Sequence, residues 1–154
     1  MHQGAFDVTC ERVRDAVDQG ARLLAGGEPH ALGGWFHQPT VLADVTPQMR
    51  IWREENFAPI AGVSAYDDLD EAVRQANDTE YGLAAYLCGQ RLDHLWPLMR
   101  RLEFAMVAVN GAKFTGHPIP FGGMKASGLG REGGSEGFEP FVETKYFALH
   151  HGAI

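Results

Sequence analysis

The feature that most constrains this chain is an alternation of residue patterns between positions 58 and 109. Residues 58–66 read as a strand. Asp68-Leu69-Asp70-Glu71 then sets an acid at a helix N-cap with a glutamate three residues on, which resembles a capping box. Leu69, Ala72, Val73 and Ala76 form the apolar stripe of the helix it opens, which should end within 77–82. Residues 83–88 carry a buried-strand pattern. Leu92, Leu95, Trp96, Met99 and Leu102 mark a second helix, in which Pro97 is tolerable only near the first turn. Residues 106–109 make a short, apolar, central strand. Strand, helix, strand, helix, strand is the order of right-handed βαβ units, so the expected class is α/β with a mostly parallel sheet and flanking helices.

The flanks are less regular. Phe6, Cys10, Val13 and Val17 fall at helical spacing, with Gly20 as a C-terminal cap. Residues 21–25 form a short strand, 30–38 a loop, and 39–45 an edge strand opened by Pro39. The chain has 19 glycines and they crowd its last third, which points to a backbone-shaped loop there. Residues 111–134 are irregular, and Phe138, Phe141 and Val142 mark a brief helix that Pro140 must shorten. Residues 145–150 alternate Tyr146 and Ala148 with Phe147 and Leu149. This is a terminal strand, apolar on both faces, that requires a partner.

Several classes of function are excluded. A net charge of -7, from 13 basic and 20 acidic residues, offers no basic face for nucleic acid. No run approaches the roughly 20 apolar residues that a membrane-spanning helix needs. The opening MHQGAFDVTCERVRD lacks a basic region followed by an apolar run, so it does not read as a signal peptide. Two cysteines, Cys10 and Cys88, cannot make a disulfide framework, and a reduced cytoplasmic protein is expected. In that setting the sequon Asn77-Asp78-Thr79 is coincidental. The seven histidines show no helical pairing, and no metal site is expected.

SGLGREGG (127–134) contains Gly128-x-Gly130-x-x-Gly133, the spacing of a dinucleotide-binding fingerprint. That motif must follow a strand, open a helix and meet an acid about 20 residues on. Here Gly122-Gly123-Met124-Lys125-Ala126-Ser127 precedes it and cannot be a buried strand, while Glu143 comes too early. No Gly-Lys-Ser/Thr follows, so a P-loop also fails. The glycines are read instead as allowing positive φ and close backbone packing.

Read whole, the stretch PFGGMKASGLGRE (120–132) resembles the PFGG-x-K-x-SG-x-GRE signature of the aldehyde dehydrogenase superfamily. In matching order, REENFAPI (53–60) resembles that family's EE-x-FGP motif and ANDTEYGLAAYLCG (76–89) its AN-x-T-x-YGL-x-A segment. LEFAMVAVN (102–110) resembles its LE-x-G-x-V-x-VN strand, and EGFEPFVETKY (136–146) its closing helix and strand. The resemblance runs from about Val8 to near the end. Among members the chain looks similar to succinate-semialdehyde dehydrogenases, through GGEPHALGGWFHQPTVLADV and KASGLGREGGSEG.

The resemblance implies NAD(P)-dependent oxidation of an aldehyde, such as succinic semialdehyde or a similar short semialdehyde, to the carboxylate. In the family a cysteine thiolate attacks the aldehyde, hydride passes to NAD or NADP, and water hydrolyses the thioester with help from a glutamate base. Family members carry that cysteine in a G-Q-x-C context, which neither Cys10 nor Cys88 has, and no catalytic residue is assigned here. The resemblance gives Glu55 the place of the glutamate that bonds the nicotinamide ribose, and Phe57 that of the aromatic beside the nicotinamide. On the residues alone these are an exposed acid and a core aromatic. Ala58 stands where the family has glycine, a strained exchange if that glycine has positive φ. Phe121 and the loop 113–119 match the mouth of the aldehyde pocket. Thr115 falls where semialdehyde-oxidising members place a hydroxyl, and is equally a plain loop residue. Arg131 and Glu132 are expected to anchor the glycine loop.

The chain is thus expected to be a partial catalytic domain over 1–133, with a closing helix and oligomerisation strand over 134–154. Expected partners are a small aldehyde, and further copies or the remaining part of the enzyme. The alternative function is a truncated, non-catalytic or subunit-binding remnant, and by itself the chain is expected to be inactive.

Overall fold

A computed structural model describes residues 1–113 and 115–152. They form a mixed α/β protein of two compact units, residues 1–75 and 76–154.

In the first unit, helix α1 (Gln3–Asp18) is followed by strand β1 (Arg22–Ala25), strand β2 (Thr40–Ala43), a short helix α2 (Arg50–Arg53) and strand β3 (Ile60–Gly62). Gly20, with φ of +101°, ends α1 as expected. The buried face of α1 is Thr9, Val13 and Ala16, rotated from the stripe read in sequence. Cys10 is half-buried and Val17 exposed. Thr9 can face inward because its hydroxyl donates to the Ala5 carbonyl at 2.6 Å and is thereby satisfied. The sheet order is β1-β2-β3, with β2 antiparallel to β1 and parallel to β3. The predicted edge strand is therefore the middle one. Pro39 precedes the ladder and removes no donor from it, so both sides of β2 can pair. Ala16, Ala21, Leu42, Val45, Met49 and Ile51 form the core, with Trp52 and Ile60 packed on it. Leu42 is fully buried, worth about 2 kcal/mol of transfer free energy.

Helix α3 (Leu69–Asn77) begins where the acids indicated. Asp68 Oδ1 accepts from the Asp70 amide at 3.1 Å. Glu71 does not close a reciprocal box, because its carboxylate takes hydrogen bonds from Arg74 and Gln75 along the helix.

In the second unit, β4 (Tyr81–Gly82) pairs antiparallel with β7 (Met124–Lys125). β5 (Ala84–Leu87), α4 (Leu92–Arg101) and β6 (Met106–Val109) form the strand–helix–strand unit read from the sequence, with β5 and β6 parallel. Pro97 lies just past the first turn of α4, and the helix continues to Arg101. Asn110, at φ +53°, ties the ends of the parallel strands. Its amide donates to the Gly89 carbonyl at 2.7 Å and its oxygen accepts from the Gly89 amide at 2.8 Å. The sequon's Asn77 is engaged too, donating to the Arg101 carbonyl and accepting from the Glu103 amide.

Among the described residues two pairings are parallel and two antiparallel, in three small sheets, where the sequence predicted a mostly parallel one. β6 has β5 on one side and no second neighbour among the described residues, so it is not central there. The residues read as a closing helix form a 3₁₀ turn, Glu136–Phe141, shortened around Pro140. Residues 145–150 join no ladder among the described residues. Strand pairing needs a second backbone, and Tyr146, Phe147 and Leu149 are instead exposed. No helix among the described residues is long and apolar enough to cross a membrane.

Candidate functional site

In the first unit the site is built on the segment leaving α2. Exposure alternates along it: Glu54, Asn56 and Ala58 are half-buried, while Glu55 and Phe57 are exposed, Phe57 to 87%. Glu55 and Phe57 thus share one outward face. Phe57 is not the core aromatic that its residue type alone suggested.

The inward residues are held by charge. The Arg12 guanidinium, on α1, donates to Glu54 Oε2 from Nε at 3.1 Å and from Nη2 at 3.0 Å. Its Nη1 donates to the Glu55 carbonyl at 2.7 Å and to Asn56 Oδ1 at 3.0 Å. Arg50 donates to both oxygens of Glu54, at 2.8 and 3.1 Å. The Asn56 amide donates to the carbonyls of Ile51 and Glu54. Arg50 foremost, with Arg12 adding, holds the Glu54 carboxyl below its ordinary range. Ala58 is not among the residues with positive φ, so its replacement of a glycine imposes no left-handed strain.

In the second unit the candidate residues lie by a loop that is shaped by its own backbone. Gly128, Gly130, Gly133 and Gly134 all have positive φ, the role read for them in sequence. Packing is also close: a Cβ on Gly133 would lie 2.8 Å from the Ile119 carbonyl oxygen, and one on Gly122 2.5 Å from that of Gly130. Phe121 and Glu132 exchange both backbone hydrogen bonds at 2.7 Å. Arg131 Nη1 donates to the carbonyls of Gly123 and Gly130. Both residues therefore anchor the loop, Glu132 through its backbone. An open cleft of about 620 Å³ lies here, lined by Phe121, Ser127, Leu129, Arg131 and Phe141 among others. Thr115 is exposed in the preceding loop, and Phe114 of that loop lies outside the described residues. Glu55 and Phe57 belong to one unit, Thr115 and Phe121 to the other.

The two cysteines differ in their surroundings. Burial, then the nearby Asp7 carboxylate, pushes the Cys10 thiol above its usual range and so disfavours the thiolate. Cys88 is exposed just past β5, with no G-Q-x-C context. Among the described residues no group of three or more His, Cys, Asp or Glu could hold a metal.

The Arg12 fork was not legible in sequence. It joins residues 42 to 44 positions apart, and nothing in the local pattern distinguishes Arg12 from Arg14.

Comparison with known proteins places the chain. A model of the aldehyde dehydrogenase family matches residues 1–147. The non-phosphorylating aspartate-semialdehyde dehydrogenase of Halomonas elongata is 52% identical over 149 residues, covering 97% of this chain and 30% of that protein. The NADP(+) succinate-semialdehyde dehydrogenase of Escherichia coli is 42% identical over 139 residues, covering 90% and 29%. The crystal structure of succinate-semialdehyde dehydrogenase from Burkholderia pseudomallei matches with a TM-score of 0.86 at 42% identity, covering 90% of this chain and 29% of that one. The chain spans about 30% of the length of the relatives it matches. With a family match over nearly its whole length and relatives retaining half or just under half of its residues, this chain belongs to the aldehyde dehydrogenase family.

Proposed function

We propose that Glu55 and Phe57 serve a nicotinamide ribose and ring, and Thr115 and Phe121 an aldehyde mouth, in the NAD(P)-dependent oxidation of a short semialdehyde, such as succinic semialdehyde, to its carboxylate. The observation that carries this is the paired exposure of Glu55 and Phe57 on one face of the 54–57 segment. A carboxylate can accept from both hydroxyls of a ribose, and an aromatic face freed from the core suits a flat ring. NAD or NADP, when bound, supplies the hydride acceptor. Thr115 offers a hydroxyl toward a substrate carboxylate, and Phe121 an apolar wall at the mouth. In this reading residues 1–133 belong to a catalytic domain whose parallel strands pair further in the assembled enzyme. Residues 134–154 close it, and the 145–150 segment pairs with a second copy. Two free cysteines suit a reducing cytoplasm.

The raised Cys10 thiol favours a second statement: the reacting thiolate is not among these residues, and the chain alone is non-catalytic. The test is NADH or NADPH formation by the purified, folded chain with succinic semialdehyde, beside Cys10→Ser and Cys88→Ser. No turnover is expected. Turnover abolished by either substitution would make that cysteine the nucleophile and overturn the non-catalytic statement.

A further inference from the structure

We propose that Arg12 is a positioning residue for the cofactor face: its guanidinium holds the 54–57 segment so that Glu55 and Phe57 are presented together. This rests on the reading of Glu55 and Phe57 given above. Three acceptors on three consecutive residues converge on one side chain: the Glu54 carboxylate, the Glu55 carbonyl and the Asn56 amide oxygen. They lie at 2.7 to 3.1 Å, within ordinary hydrogen-bond range. Only a guanidinium offers enough donors in a fixed plane to reach all three, and an ammonium on a flexible stem does not.

The mount is rigid. Arg12 lies three residues after Thr9 and four before Ala16, on the buried face of α1, and its side chain is 14% exposed. Ala16 belongs to the core. Glu54 is fixed a second time by Arg50 of α2, and Asn56 by the carbonyls of Ile51 and Glu54. The side chains flanking Glu55 are thereby committed inward, and Glu55 gives this network its carbonyl oxygen. Arg12 acts through Glu55 and Phe57 and touches no ligand in this assignment.

The test titrates the purified chain with nicotinamide mononucleotide, which carries the ring and ribose alone, and follows the Phe57 ring resonances. The proteins compared are the parent, Arg12→Met, Arg12→Lys, Glu55→Gln and the double variant Arg12→Met/Glu55→Gln. Positioning predicts about tenfold weaker binding for Arg12→Met and a smaller loss for Arg12→Lys. It also predicts a smaller loss from Arg12→Met once Glu55 is glutamine, since only Phe57 then remains to be placed. Equal loss in both backgrounds marks a merely structural role and overturns the proposal. Parent-like binding by Arg12→Met beside a weakened Glu55→Gln overturns it while leaving the Glu55 reading intact. A folded parent that does not respond, or Glu55→Gln binding like the parent, overturns that reading and this inference with it. If Arg12→Met does not fold, Arg12→Lys combined with Glu55→Gln completes the same cycle, and parent-like binding by Arg12→Lys then overturns the proposal.

Discussion

The segment 54–57 and the loop 122–134 are both irregular backbone in a fixed shape, and they are fixed by opposite means. The first is held from outside, by a guanidinium on another helix and a second arginine beside it. The second is held from within, by glycines at positive φ, by contacts too close for a Cβ, and by an arginine bonding the loop's own carbonyls. Each is vulnerable in a different way. A charge clamp loosens with salt, with acid and on loss of one distant residue. A backbone-shaped loop ignores salt and fails on the addition of a methyl group.

The comparison is tested most severely by Gly133→Ala. A Cβ there meets both a φ of +66° and the Ile119 carbonyl at 2.8 Å, so strain and overpacking add, and a loss of about 3 kcal/mol is expected in denaturant unfolding. A loss below about 1 kcal/mol would show that the loop relaxes easily. Arg12→Met should follow, at about 2 kcal/mol, since it strips hydrogen bonds from a partly buried carboxylate. Repeating both unfolding curves in about 1 M salt, where the Debye length is about 3 Å, sharpens the contrast. The Arg12→Met difference should shrink and the Gly133→Ala difference should not.

Gly130→Ala separates the two parts of the glycine effect. Its φ is +76° but nothing lies within 4 Å of the added Cβ, so only backbone strain remains and about 1 kcal/mol is expected. A loss equal to that of Gly133→Ala would mean that conformation alone decides. The smallest effect is acidic. Glu54 has its folded carboxyl held low by Arg50 and Arg12, so its stabilisation is present above the unfolded value and lost as pH falls through the folded one. Thermal unfolding of the parent should therefore weaken over that acidic window more than that of Glu54→Gln. Identical pH profiles would show that the ion pairs contribute nothing to stability.

Legibility in the sequence followed the range of the forces. The strand–helix–strand run from β5 to β6 and the start of α3 were readable because periodicity and capping act over a few residues. The glycine loop was readable because a left-handed φ is a property of the residue itself. β2 was misplaced at an edge, since a strand's neighbours come from elsewhere in the chain. For the same reason the pattern of residues 145–150 showed a need for a partner and nothing of what meets it. Phe57, by type a core residue, lies exposed because its neighbours on both sides are the ones drawn inward.

The sequence by itself determined the family, through several motifs in order, and the local elements, because both are written in neighbouring residues. Only the tertiary structure decided that Arg12, rather than Arg14, holds the segment bearing Glu55. Which of two arginines on one helix meets Glu54 depends on how α1 seats Ala16 in the core, and that seating brings together residues more than 40 positions apart.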